Sequence, residues 1–171
     1  MSTKMMKGLA GIDSAPLPVA GGIPATADLV FIGNTEKDQA KVTEADPTET
    51  EFYANETDDP IDSDITGGKK TLEFTLFDVA EANLLAWLGG TVSGTGATTT
   101  WNSPGQKATF EKSFRVRSKD GQYLIFPRVK FAAKVDYDLS NKGFFKVAVK
   151  GTILTPTGTG IASMVKGTLS V

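Results

Sequence analysis

The stretch Val129–Leu139, "VKFAAKVDYDL", governs how the rest of the chain is read. Val129, Phe131, Ala133, Val135, Tyr137 and Leu139 fall on one face. Lys130, Lys134, Asp136 and Asp138 fall on the other. A period of two with one apolar and one charged face marks a half-buried strand. The following segment repeats the pattern, with Phe145, Val147, Val149 and Ile153 set against Lys146, Lys150 and Thr152. Ser140–Gly143 closes the turn between them. Upstream, Asp120-Gly121 is a two-residue hairpin signal that joins a further long strand. Three consecutive strands exceed the usual five or six residues, as suits an antiparallel sandwich, barrel or wall. Pro127 cannot donate to a ladder, so an edge or a bulge is expected there.

Outward from this core, "KKTLEFTLF" (Lys69–Phe77) alternates Leu72, Phe74 and Leu76 with Thr71, Glu73 and Thr75, again a strand. It runs into "LFDVAEANLLAWLGG" (Leu76–Gly90), the one segment with helical character. Asp78 at the N-cap with Glu81 three residues on makes a capping-box variant, and Gly89-Gly90 supplies the stop. The helix is expected over about residues 78–88. Val79, Leu84, Leu85, Trp87 and Leu88 cover most of its circumference, which predicts burial, with Leu84, Leu85 and Leu88 all inside.

The first 26 residues, rich in Gly, Pro and Ala, read as an N-terminal arm, and residues 27–171 as a single β-domain. "ADLVFIG" (Ala27–Gly33) is a first short strand, Ala40–Thr43 a possible second, and "GIASMVKGTLSV" a possible last one. Between them Glu44–Asp64 holds nine carboxylates and no basic residue, and reads as a long acidic loop containing a strand fragment at "EFYA". Lys107–Lys150 carries eleven Lys or Arg against four Asp or Glu. One reading is a solvated loop beside a mixed surface. The other is that the acidic loop of one copy meets a basic face of another, since complementary potentials orient association.

Chemistry is constrained by what the chain lacks. With no His and no Cys, the common triads, thiol nucleophiles and zinc sites are excluded, as is a disulfide framework. Gly94-Thr95-Gly96 and "GGKKT" (Gly67–Thr71) complete no phosphate-binding fingerprint. Asp62, Asp64, Thr66-Gly67 and Glu73 approach the spacing of an EF-hand loop, but Pro60 stands where a helix should precede and a strand follows. No catalytic, cofactor or metal residues are therefore assigned. A net charge of −2 argues against dedicated nucleic-acid binding. No apolar run approaches the roughly 20 residues of a membrane span. Asp13, Pro16 and Pro18 interrupt any signal-peptide core, so synthesis in the cytoplasm is expected.

The order of segments resembles the major tail tube proteins of long-tailed bacteriophages. The likeness runs from "KKTLEFTLFD" through "LLAWLGG" and "SFRVRSKDGQYLIFPRVKF" to "FKVAVKGTIL", and covers roughly Ala27 to Leu154. It implies a β-sandwich or barrel with one flanking helix, polymerised as stacked, typically hexameric rings. These form the genome conduit of a virion tail. It implies contacts with further copies of the chain and with tape-measure, terminator or baseplate proteins, DNA that passes without tight binding, no cofactor and no membrane. An accessory tail, neck or baseplate component of the same fold is a variant of that reading. A carbohydrate-binding or adhesin-like β-sandwich is the alternative from another class, and would account equally for the strands and for Trp87 and Trp101. For the assembly reading, the interface candidates are Asp58, Asp59, Asp62 and Asp64 on the acidic side. Arg115, Arg117, Lys130 and Lys134 stand on the basic side.

Overall fold

A computed structural model describes residues 6–77, 80–137, 140 and 143–169. Its centre is the long antiparallel ladder of β9 (Phe110–Ser118), β10 (Gln122–Tyr137) and β11 (Phe145–Ile153). Gly121, at φ 72°, supplies the left-handed position of the β9–β10 turn. The β9–β10 register slips between Phe126 and Val129, so Pro127 occupies a bulge, as its missing N–H requires. The slip also divides the opposite edge of β10. Its first part, Gln122–Ile125, pairs with β12 (Val165–Thr168), and Val129–Tyr137 pairs with β11.

The sheet extends in both directions. On one side β9 pairs with β1 (Leu9–Ala15), and β1 with the short β2 (Val30–Phe31). On the other, β11 pairs with β6 (Lys70–Leu76), and β6 with β3 (Lys41–Glu44). The segment from 30 to 44 hydrogen-bonds towards both ends of this order. Ile32 N–H donates to Ile12 O at 3.1 Å. Phe77 N–H donates to Asn34 O at 3.0 Å, and Glu36 N–H to Thr75 O at 2.8 Å. The sheet is thus curled towards a barrel, although no continuous ladder closes it among the described residues. Curling removes exposed edges, which otherwise invite pairing with other chains.

The concave side holds the core. Ile12, Leu72, Phe74, Leu76, Phe114, Val129, Phe131, Val147 and Val149 point into it from five strands. One α-helix, α1 (Glu81–Leu88), lies over β10 and buries Leu84, Trp87 and Leu88. The Trp87 ring meets Phe131 at 5.4 Å and Phe74 at 6.0 Å between centroids. Each fully buried side chain of this kind contributes roughly 1.5–3 kcal/mol of apolar transfer. A helix of eight residues is too short to persist alone, so this packing is what holds it. It ends at Gly89 and Gly90, both at positive φ, as the glycine pair predicts. Trp101 Nε1–H donates to Gly89 O at 2.8 Å, tying the small hairpin of β7 (Thr91–Ser93) and β8 (Thr100–Asn102) to the helix end.

Several expectations change. Residues 9–15 are no free arm but an inner strand carrying buried Ile12 and Ala15. The strand expected over Ala27–Gly33 shrinks to Val30–Phe31, preceded by a single 3-10 turn at Thr26–Asp28. The helix starts at Glu81, with Ala80 at the capping position and no side-chain cap. Asp78 and Val79 lie outside the described residues, as do Asp138 and Leu139. Leu85, expected inside, is 40% exposed. The buried face is centred on Leu84, Trp87 and Leu88, spaced three and four apart, and Leu85 stands about 100° round from Leu84. Finally, the acidic stretch is mostly paired strand: β4 (Thr48–Tyr53) and β5 (Pro60–Thr66) form a two-stranded sheet of their own.

Candidate assembly surface

β4 continues the path of β3, and β5 leads back into β6, with Ala45 N–H donating to Lys69 O at 2.9 Å between the two ladders. The result is a long arm with its turn at residues 54–59. Every residue of β4 and β5 is exposed, on both faces. Polar alternation builds these strands: "TETEFY" alternates Thr and Glu, and "PIDSDIT" alternates Ile and Ser with Asp.

The pairing sorts the side chains. Thr50 faces Asp64 and Phe52 faces Asp62, so one face joins Thr side chains and aspartates around Phe52. On the other, Glu49 faces Ile65 and Glu51 faces Ser63, with Tyr53 following by alternation. Tyr53 Oη–H donates to Glu51, and this hydrogen bond to the ionised partner raises the Tyr53 pKa above 10.0. Ile61 and Ile65 are 64% and 63% exposed. Sequence reading placed a strand fragment at Glu51–Ala54 but otherwise weighed the charge of this stretch, and passed over Ile61 and Ile65. The Thr/Glu alternation was the signal that would have found the strand.

Of the acidic candidates, Asp62 and Asp64 stand on β5, and Asp58 and Asp59 in the turn, all exposed. The basic candidates separate into two kinds. Arg115 and Arg117 project from β9 onto Asp13 of β1, which is 2% exposed. Arg115 Nε–H donates to Asp13 Oδ2 at 2.8 Å, and an Arg117 terminal N–H donates to Oδ1 at 2.9 Å. Arg117 Nε also lies 2.9 Å from Oδ2, but without hydrogen-bond alignment. The Arg117 guanidinium lies 5.8 Å from the Phe31 ring centroid. Gly11 makes room for this stack: a Cβ there would stand 2.9 Å from Phe31 and 3.0 Å from Arg117. These two arginines fasten β1 to β9 within the subunit.

Lys130 and Lys134 are exposed on the convex face. That face is not uniformly basic. Glu73 takes Lys150 at 2.6 Å and Lys41 at 3.4 Å, chiefly the Lys150 hydrogen bond holding its carboxyl below the usual 4.5. Lys134 and Asp136 line the same shallow groove of about 670 Å³. Arg128 pairs with Glu111, and Lys146 with Glu36. With Glu73 on β6 held by two lysines, the near-EF-hand spacing does not gather its carboxylates on one loop.

A second exposed region lies at the far end of the β10–β11 ladder. Val135, Tyr137 and Phe144 are exposed, with Tyr137 edge-on to Phe145 and Phe77 edge-on to Phe144. Among the described residues no helix is long and apolar enough to cross a membrane. No family model matches the chain, and a search of curated proteins returns no match.

Proposed function

We propose that this protein is a self-assembling structural subunit, a tail tube protein or close relative whose copies stack as rings around a conduit. The observation that carries this reading is the β4–β5 hairpin, exposed on both faces and bearing Phe52, Tyr53, Ile61 and Ile65 in solvent. An isolated two-stranded hairpin is marginal in water, and an arm of this length gains stability when another surface covers it. The curled sheet, the capping helix and the exposed aromatic end of β10–β11 fit a subunit with more than one contact to its neighbours. The acidic arm gives those contacts polarity, because like-charged arms repel each other and seek a basic surface.

Electron microscopy of concentrated purified protein, paired with limited proteolysis, tests the reading. Rings or tubes are expected, and cleavage within residues 54–59 should be fast in dilute subunits and slow in the polymer. Assembly should weaken as salt is added beyond the physiological range, where exposed charges are screened over about 8 Å. Protein that stays monomeric at every concentration, with the arm cut equally fast throughout, would remove the assembly function and favour a binding module.

A further inference from the structure

The basic surface that receives the arm can be narrowed by asking which cations lack a partner. Of the eleven basic residues between Lys107 and Lys150, Arg115, Arg117, Arg128, Lys146 and Lys150 are held by carboxylates of their own chain. Among the described residues Lys107, Lys119, Lys130 and Lys134 make no ion pair and are exposed. Lys112 differs. It follows Phe110 and precedes Phe114 on the core-facing side of β9, is half-buried, and has no acidic partner among the described residues. Its ammonium lies 4.7 Å from the centroid of the Trp87 ring. Desolvation lowers its pKa from the usual 10.5. A ring face meets an ammonium from one side, whereas Lys carries three donors.

Lys112 lines a cleft of about 320 Å³ between α1 and β2, together with Ser14, Val30, Ile32, Asn83 and Trp87. Among the described residues no acidic side chain lines it. Val30 forms its open wall and is 66% exposed. The cleft therefore offers apolar walls, the edge of β2 and one partly desolvated cation. The complement stands on the arm: Glu49 beside Ile65, then Glu51 and Tyr53, all on one face.

We propose that this cleft receives the Glu49/Glu51 face of the β4–β5 hairpin of a second copy, a hairpin carboxylate meeting the Lys112 ammonium while Ile65 covers Val30. The inference rests on the self-assembly reading and names the two surfaces that meet. Charge complementarity selects the occupant, because the arm's stretch Glu44–Asp64 holds nine carboxylates and no base. Desolvation selects the lysine, because a carboxylate reaching a half-buried ammonium works at lower effective dielectric than one beside exposed Lys130 or Lys134.

The test measures the concentration at which the full chain polymerises, by sedimentation, with thermal unfolding of the dilute subunit as the folding control. Lys112→Met should leave the subunit folded, at or above the wild-type Tm, because it removes a partly desolvated charge. It should raise the assembly concentration about tenfold or more. The pair Glu49→Gln/Glu51→Gln should do the same, and the pair Asp62→Asn/Asp64→Asn, on the opposite face, distinctly less. Because the chain has no cysteine, Val30→Cys with Ile65→Cys should give disulfide-linked ladders on mild oxidation of the polymer, and Val30→Cys with Phe52→Cys should not. Wild-type polymer that forms equally well from Lys112→Met protein, or that gives no Val30–Ile65 ladder, overturns this docking while leaving self-assembly standing. Wild-type protein that never polymerises overturns both. Cross-links confined to single chains would assign the arm to its own cleft and also overturn it.

Discussion

The β6–β11–β10 ladder and the β4–β5 hairpin are made by the same antiparallel pairing, and β3 and β6 run directly into the hairpin. In the ladder, Leu72, Phe74 and Leu76 of β6 sit opposite Gly151, Val149 and Val147 and are all but removed from solvent. In the hairpin, Ile65 sits opposite Glu49 and remains open. Backbone hydrogen bonding is common to both, so it is not what separates them. The difference lies in whether one face of the pairing finds an apolar layer. The ladder has α1 and the curl of its own sheet, and the hairpin has none among the described residues.

That contrast can be broken most sharply at the core. Phe114→Ala should destabilise the subunit by roughly 3–5 kcal/mol in denaturant titration, since Phe114 is fully buried against Phe74 and Phe131. Ile65→Ser on the hairpin should change the same midpoint by about 0.5 kcal/mol or less. Comparable losses would mean that the hairpin is covered within one subunit. The helix gives a finer version of the comparison over three residues. Leu88→Ala should cost about 2–5 kcal/mol, whereas Leu85→Ala, on the open flank, should stay near or below 1 kcal/mol. Equal effects would place Leu85 in a packed contact. The smallest effect is electrostatic. Glu73 has its pKa depressed in the folded state, so its stabilisation is present above the ordinary 4.5 and is lost as pH falls through the lowered value. Its partners Lys41 and Lys150 are largely exposed, so the contribution is about 0–1 kcal/mol. Glu73→Gln should flatten that acid limb in pH-dependent unfolding. Lys112 acts with the same sign at the alkaline end. Its lowered pKa makes stability rise as pH climbs towards 10.5, and Lys112→Met should abolish that rise.

Legibility in the sequence followed the same division. β10, β11 and β6 were readable because one face is buried and the other wet, which writes a period of two into the residues. Asp120-Gly121, Pro127 and Gly89-Gly90 were readable because each answers a backbone requirement that few residues meet. β1 was not. Gly11, Ile12 and Asp13 are buried in succession on both faces, so no alternation remains, and the burial of Asp13 depends on arginines about a hundred positions away. β4 beyond the fragment at Glu51–Ala54, and β5, were hidden for the opposite reason, with both faces wet. At the candidate site, the charge of the arm was legible, but which cations were already occupied was not. Ion pairing across β1 and β9, or β6 and β11, depends on register and not on composition.

The clasp of Asp13 on Arg115 joins residues 102 positions apart. At about 5–20 residues per second, the ribosome adds that much chain in roughly 5–20 seconds. Throughout that interval β1 has been made and its ladder partner β9 has not. The sheet cannot be completed from its N-terminal end until translation has passed the middle of the chain. Such long-range pairing is intrinsically slow among small domains. The segment from 30 to 44 hydrogen-bonds towards both β1 and β6. The Lys112 cleft is lined by Ser14 of β1 and Lys112 of β9, so it cannot be complete until that length of chain has been made.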